Sequence, residues 1–536
     1  MKNQTLPSIT RILLLFTLLC AVIASVQSAH AITVTNTNDN GAGSLRQALA
    51  DASDGDTIDF SVTGTITLTS GELLVNKNNL TISGPGPNQL IVQRSTAVGT
   101  PAFRVFHISS GKTVTISGLT ITKGYASGNG GGIYNDHATL TVSDCTISGN
   151  YGIQAGGIYN DHATLTVSDC TISGNAGPYG GGGIYNFGEF GDATLTVSNS
   201  TLSGNFTEAT GDGGGILNVA SAASAIVTIS NSTLSGNFAG GGYSGTGGGG
   251  VANSGFEHGN ATLTVKNSTF SGNSANLCGG ISNSTDTASA TLTIGGTILN
   301  DSASGANIYN LDGTVTSLGY NLSSDAAGGD GTTGPGGLLN ATGDIRNTNP
   351  MLGLLQNNGG PTFTHALLVG SPALDKGKNF NASTTDQRGT GFARTYDDPA
   401  IANATAGDGT DIGAFEVQAQ APAYAAQIQQ PINADGTSVF NVRRGVVPVK
   451  FTLTLDGVAT CDLPSATIAV TRTAGGVIGP IDESSYTGPA DTGSNFRIDS
   501  CQYIYNLSAS ALGTGTYRVD IIINGQVVGS ATFALR

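Results

Sequence analysis

Two identical twenty-residue segments, 131–150 and 156–175, read GGIYNDHATLTVSDCTISGN and hold most of the side chains that could do chemistry. One copy supplies Asp136, His137, Asp144 and Cys145; the other supplies Asp161, His162, Asp169 and Cys170. Paired carboxylates can hydrolyse a glycosidic bond, one giving a proton while the other acts as base or nucleophile. Asp144 and Asp169 are the catalytic candidates on that ground. Asp136 and Asp161 are the metal candidates, since hard carboxylate oxygens suit calcium, although no fixed loop supplies six ligands. A polyanion lyase needs a basic proton acceptor, and between 113 and 322 the chain has Lys123, Lys266 and no arginine. Later copies put Asn199, Asn231 and Asn267 where Asp144 and Asp169 stand, so a turn residue carried along by duplication explains both. The same holds for His137 and His162. The balance is against an enzyme.

These residues sit in a repeat. Degenerate copies follow at Thr194-Leu-Thr-Val, Ile226-Val-Thr-Ile, Thr262-Leu-Thr-Val and Thr291-Leu-Thr-Ile, and an earlier one begins at Thr113-Val-Thr-Ile. A period of roughly 25–36 residues that drifts through Gly-rich insertions marks a solenoid. Within a copy, Leu140 and Val142 alternate with threonine, a turn follows, and Ile147 resumes the pattern; Ile133 adds a third inward position. Three short strands per turn predict a parallel β-helix with coils rising about 4.8 Å. Two asparagine positions recur: Asn150, Asn175, Asn205, Asn237 and Asn273 after Ser-Gly, and Asn135, Asn160 and Asn186 after Ile-Tyr. Stacked amides can donate to one coil and accept from the next, so both sets are expected to form structural ladders. Cys145 and Cys170 share the inward parity of Ile147 and Ile172. Because stacked side chains point in parallel, two packed thiols are favoured over a bridge.

Residues 1–31 have the charge, apolar run and Ala29-His30-Ala31 ending of a signal peptide. No second apolar run long enough to span a bilayer follows, so an exported chain is expected, secreted or on a bacterial surface. A formal charge of −15 argues against nucleic acid as a partner; a surface glycan or a protein is the expected kind of partner, with no cofactor beyond the calcium considered above. The β-helix is expected over 32–345, opened by a short helix at Ser44-Leu-Arg-Gln47, whose spacing is that of a capping box. The glycine runs in 240–250 read as loops between coils.

The Gly-Gly-Ile-Tyr segments together with Phe270-Ser-Gly-Asn273 and its relatives resemble the polymorphic outer-membrane protein repeats. That resemblance covers roughly 113–322 and implies a right-handed β-helix on an exported surface protein. Gln356-Asn-Asn-Gly-Gly-Pro, Gly370-Ser-Pro-Ala-Leu-Asp375, Asp386-Gln-Arg-Gly389 and Asp411-Ile-Gly-Ala-Phe-Glu416 resemble the choice-of-anchor Q region of bacterial surface proteins. On this basis 346–416 is expected to form the C-terminal part of the β-helix and to close the rod. Ala/Gln/Pro-rich residues 417–431 read as a linker. Residues 432–536, with Val447-Pro-Val-Lys-Phe451 and Gly513-Thr-Gly-Thr-Tyr517, resemble the PxKF domain of exported proteins. Alternating strands there, with a tight turn at Asn524-Gly525, predict an Ig-like β-sandwich, and Cys461 and Cys501 are expected to pair in an oxidising compartment. The expected function is adhesion or structural display; the alternative is a polysaccharide-cleaving lyase or glycoside hydrolase working in a groove on the helix.

Overall fold

The computed structural model describes residues 30–208, 211–241, 247–300, 305–418, 424–455, 457–461, 466–481, 496–523 and 526–536. The expected signal segment up to residue 29, residues 242–246 of the Gly-rich run and the Asn524-Gly525 pair expected to form a turn lie outside the described residues. Two compact units divide the chain at Gln418/Ala419.

The first unit is a right-handed parallel β-solenoid of three sheets. Sheet one has eleven strands, from Ala31–Val34 to Thr314–Gly319; sheet two has ten, from Gly64–Leu68 to Leu322–Ser323; sheet three has nine, from Leu73–Val75 to Ala306–Leu311. One coil runs through Ile158–Asp161 in sheet three, Thr164–Ser168 in sheet one and Thr171–Ser173 in sheet two. Period-two alternation puts Ile158, Leu165, Val167 and Ile172 into a continuous buried core, with threonine and serine outward. The Ser-x-Cys corner between sheets one and two is turned by a left-handed residue in seven consecutive coils. Asp144, Asp169, Asn199, Asn231 and Asn267 all have φ between 45° and 54°, and Gly118 and Gly296 take the same place with φ of 65° and 61°. Asp, Asn and Gly tolerate that backbone best. Such a corner selects these residue types without any chemistry.

Helix α1, Leu45–Asp51, covers the first coil with Leu45, Ala48 and Leu49, and the Ser44 hydroxyl accepts from the Gln47 amide. At the other end Ala327 and Leu339 join the core, and Arg346 is buried against the carbonyls of Gly334 and Ala326.

Residues 347–416 depart from expectation. They add no coil to the β-helix; they turn back along the outside of sheet two. An antiparallel hairpin of Leu352–Gln356 and Thr364–Leu367 begins this segment. Its polar side chains meet the outward hydroxyls of the coils: Gln387 bonds Thr201 and Thr233, His365 bonds Ser235, and the Ala414 amide donates to Thr269. The physical reason is that this stretch lacks alternating strands but carries hydrogen-bonding groups matched to the Thr-x-Ser ladder. The Asp386–Arg388 ion pair is buried beneath it, with Arg388 between the rings of Phe392 and Phe415.

The second unit is a β-sandwich of two five-stranded sheets. One holds Tyr424–Gln429, Val446–Leu455, Val458–Thr460, Gln502–Ser508 and Arg497–Asp499; the other holds Ser438–Phe440, Gln526–Leu535, Gly515–Ile523, Ala466–Ala474 and Gly479–Ile481. Phe451, Tyr503 and Tyr505 from the first pack with Tyr517, Ile521 and Phe533 from the second. The expected linker is corrected here. Tyr424–Gln429 pairs antiparallel with Lys450–Leu455, and Ile428 joins the core. Its Tyr-x-Ala-x-Ile alternation is hidden by an Ala/Gln composition that resembles a linker.

Candidate functional site

The asparagines are internal. Asn135 donates to the Oδ1 of Asn160 at 2.7 Å, Asn160 to Asn186 at 2.7 Å, and the column continues through Asn218, Asn253 and Asn283 to Asn310. The second column runs Asn150, Asn175, Asn205, Asn237, Asn273 with separations of 2.7–3.0 Å. From Asn175 onward each Oδ1 of that column also accepts the preceding asparagine's backbone amide, as Asn205 does from Asn175, while Asn150 accepts from the Gly124 amide. From Asn160 to Asn283 in the first column and throughout the second, the side chains are buried and both amide functions are engaged; Asn135 at the start of the first column leaves its Oδ1 without a partner among the described residues. A third ladder was not anticipated as such. The Cys145 amide points at Cys170 Sγ, the Cys170 amide at Ser200 Oγ, and the Ser200 amide at Ser232 Oγ. Cys145 and Cys170 are buried thiols not joined by a disulfide, and Cys278 is buried as well. Burial pushes the Cys170 thiol well above its ordinary range.

The corner from sheet three into sheet one gathers the other acidic and imidazole groups. His137 and His162 are left-handed corner residues, with φ of 48° and 46°. Each ring nitrogen Nδ1 lies 2.6 Å from the preceding carboxylate, Asp136 and Asp161 respectively. Asp161 also accepts from the Tyr134 hydroxyl at 2.7 Å. Donor atoms of His137, Asp161 and His162 fall within 4.8 Å of one another. Two imidazoles and one carboxylate form a set for a transition metal rather than for calcium. The two rings stack at 4.7 Å between centroids and 30° between planes, so their edges run side by side more than they converge. Arg104, just outside the basic residues weighed from sequence, lies over the Tyr134 ring and 3.0 Å from Glu72, so its charge is already paired. Tyr134 and Tyr159 of the duplicated segments and Tyr185 of the next coil form a row of tilted and edge-on ring contacts, a packing feature that the Ile-Tyr-Asn repeat carried in plain view.

Asp144 lies elsewhere. It lines a cleft of about 420 Å³ between sheet two and the returning segment, with Thr146, Thr171, Ser203, Asn357 and Phe363 among its walls. Asp169 is one coil on, paired in register through Ser143 and Ser168, and is not among the wall residues. Burial raises the Asp144 carboxyl above its usual range; burial and then the charge of Asp144 raise Asp169, against a hydrogen bond from Asn199. The cleft therefore offers one carboxylate and no basic side chain. Cys461 and Cys501 in the sandwich are joined, with Cα atoms 4.9 Å apart.

Fold and ladders together define a right-handed parallel β-helix repeat protein. Residues 69–248 match the family model described as the right handed beta helix region. No curated protein matches the chain. Among solved structures a similar chain is ORF18 of Geobacillus virus E2, at 13% identity and a TM-score of 0.32, covering 60% of this chain and 66% of that one. The chain thus spans just under two thirds of that relative's length. Among the described residues no helix is long and apolar enough to cross a membrane.

Proposed function

We propose that this is an exported bacterial surface protein that acts in adhesion or structural display. The solenoid supplies long neutral polar side faces, and the C-terminal sandwich serves as a PxKF-type module for attachment or binding. On this reading 346–416 is a choice-of-anchor Q region, and the leader directs secretion. The observation that carries the non-catalytic part is the cleft at Asp144: it has one carboxylate and no base, whereas glycoside hydrolysis takes two carboxyl groups flanking the bond. Residues that could do chemistry in the repeat are used to turn corners or to tie coils.

A second reading, a polysaccharide-cleaving enzyme, draws on the placement of Asp144 and Asp169 one coil apart, both carboxyls raised by burial and that of Asp169 also by the charge of Asp144. One experiment separates the two. Purified protein is incubated with a panel of surface polysaccharides, and both retention and release of oligosaccharide are measured. Adhesion expects retention without release. Release that is abolished by Asp144→Asn would replace the adhesion reading with the enzymatic one. Cell fractionation with and without residues 417–536 tests the surface location.

A further inference from the structure

Outward side chains of sheet one form a two-dimensional array of threonines. Across eight consecutive coils the register is unbroken, from Thr113-Val-Thr115 through Thr139-Leu-Thr141 and Thr164-Leu-Thr166 to Thr314-Val-Thr316. Of the sixteen outward positions in these two columns fifteen are threonine, and Ile226 is the other. Preference for strand would be met as well by valine, isoleucine, tyrosine or phenylalanine, so propensity alone does not select one residue type in both columns. The only charged side chain on these eight strands is Lys266, in a chain of net charge −15.

The hydroxyls of these threonines differ from their counterparts on sheet two. There Thr201, Thr233 and Thr269 are buried and bonded to the returning segment. On sheet one the column from Thr115 to Thr316 points outward and is half-buried among its own neighbours, exposed at Thr316, and none of its hydroxyls has a partner within the described residues. A β-branched side chain is stiff at χ1, so each threonine holds its hydroxyl and methyl in a restricted position. The result is a neutral face with repeats of about 4.8 Å between coils and about 6.6 Å between alternate residues of a strand.

We propose that this face binds ice. Water oxygens joined by hydrogen bonds of about 2.75 Å at tetrahedral angles lie about 4.5 Å from their second neighbours, and the hexagonal lattice repeats along its unique axis every ~7.3 Å. Both spacings of the threonine array come within about a tenth of these. Drift along the coil axis accumulates to about 2 Å over eight coils, which stays under half of one lattice repeat. Ordered water held between the threonine methyls and bonded to their hydroxyls can then join the crystal lattice, so the partner is the surface of ice itself. This goes beyond the adhesion reading and does not depend on it.

The test uses the purified full chain. Thermal hysteresis is measured by nanolitre osmometry, and fluorescently labelled protein is followed on a growing single crystal of ice. The protein is expected to shape ice crystals, to open a gap between melting and freezing, and to be overgrown into the ice. Thr166→Tyr and Thr196→Tyr should abolish all three, while Ser173→Tyr on sheet two should leave them intact. Thr166→Val, close in volume, separates surface damage from misfolding and should weaken ice uptake with an unchanged thermal melt. A wild-type chain excluded from ice overturns the proposal, as does ice uptake untouched by the sheet-one tyrosines. Retention on crystalline chitin or cellulose that is lost in Thr166→Tyr, without ice uptake, overturns it in favour of a glycan face.

Discussion

The Thr233 hydroxyl donates a 2.6 Å hydrogen bond to the side-chain carbonyl of Gln387, across 154 positions of chain. The Gln387 amide in turn donates to the hydroxyls of Thr201 and Thr362 and to the carbonyl of Phe363, and the residue is fully buried. One glutamine thus ties two coils of the solenoid to the segment that lies over them. Sheet two is covered because its ladder meets a segment carrying matched polar groups, whereas sheet one meets no such segment among the described residues.

Gln387→Leu should loosen that cover. It removes every side-chain bond of Gln387 at once and orphans the buried hydroxyl of Thr233, at a cost of about 1–3 kcal/mol, while Thr201 keeps its bond to the Phe363 carbonyl. The solenoid core does not depend on this side chain. The expected outcome is faster limited proteolysis within 347–416, with the far-ultraviolet dichroism of the β-helix retained. Unchanged proteolysis would show that Asp386–Arg388 and the apolar contacts hold the segment alone.

The repeat made the solenoid legible because its core follows the shortest of rules, alternation of Leu, Val and Ile with threonine. The asparagine ladders were equally legible, since a buried amide repeated at coil spacing has few other uses. The placement of 347–416 was not. Nothing in Gln356-Asn-Asn-Gly-Gly-Pro or Asp386-Gln-Arg-Gly389 states which surface its donors face, and that is decided by long-range pairing with Thr201, Thr233 and Ser235. Tyr424–Gln429 was missed for another reason: a strand of six residues built from Ala and Gln shows its alternation only once Ile428 is known to be buried.

The ladders are expected to be the most sensitive interior positions. Asn205 donates to the Ile172 carbonyl at 2.8 Å and to Asn237, and it accepts the backbone amide of Asn175. Asn205→Leu leaves these partners unsatisfied in a dry interior and should cost about 3–5 kcal/mol, from several orphaned groups together. Asn205→Asp should be worse above the carboxylate range, because the charge is desolvated and faces the Asn237 Oδ1 without a donor. Urea denaturation at neutral pH would check the order. Stability equal to the parent in both variants would mean that the amide column contributes nothing.

Asp212 gives the fold a pH dependence whose sign follows from burial. Its carboxyl is pushed up to about 6, and Oδ1 has no partner among the described residues. The unfolded value is 3.8. A raised folded value means that the native state holds the proton more tightly, so this contribution is complete below the unfolded value and is lost as pH rises through about 6. The loss is no more than about 3 kcal/mol. Asp212→Asn should therefore raise Tm near pH 7 and leave it nearly unchanged at pH 4. An equal shift at both values would contradict the burial argument.

Cys145 and Cys170 are interchangeable with serine on structural grounds. The next coils already use Ser200 and Ser232 to accept the same backbone amides, and Ser200 Oγ also donates to the Ser198 carbonyl at 2.7 Å. Cys145→Ser with Cys170→Ser extends that ladder by two coils and exchanges a weak sulfur acceptor for a better one. At position 170 the exchange places the hydroxyl beside a carbonyl it can reach, as Cys170 Sγ already lies 3.1 Å from the Ser168 carbonyl. Stability should change by less than about 1 kcal/mol, since one buried hydrogen bond contributes roughly that much and the lost sulfur packing opposes it. In the parent chain both thiols should resist alkylation until the protein unfolds, because the thiolate is the reactive form and burial disfavours it at Cys170. Labelling with iodoacetamide followed by mass analysis, in native buffer and in denaturant, measures that difference. Rapid native labelling at Cys170 would mean that the coil opens locally at this corner.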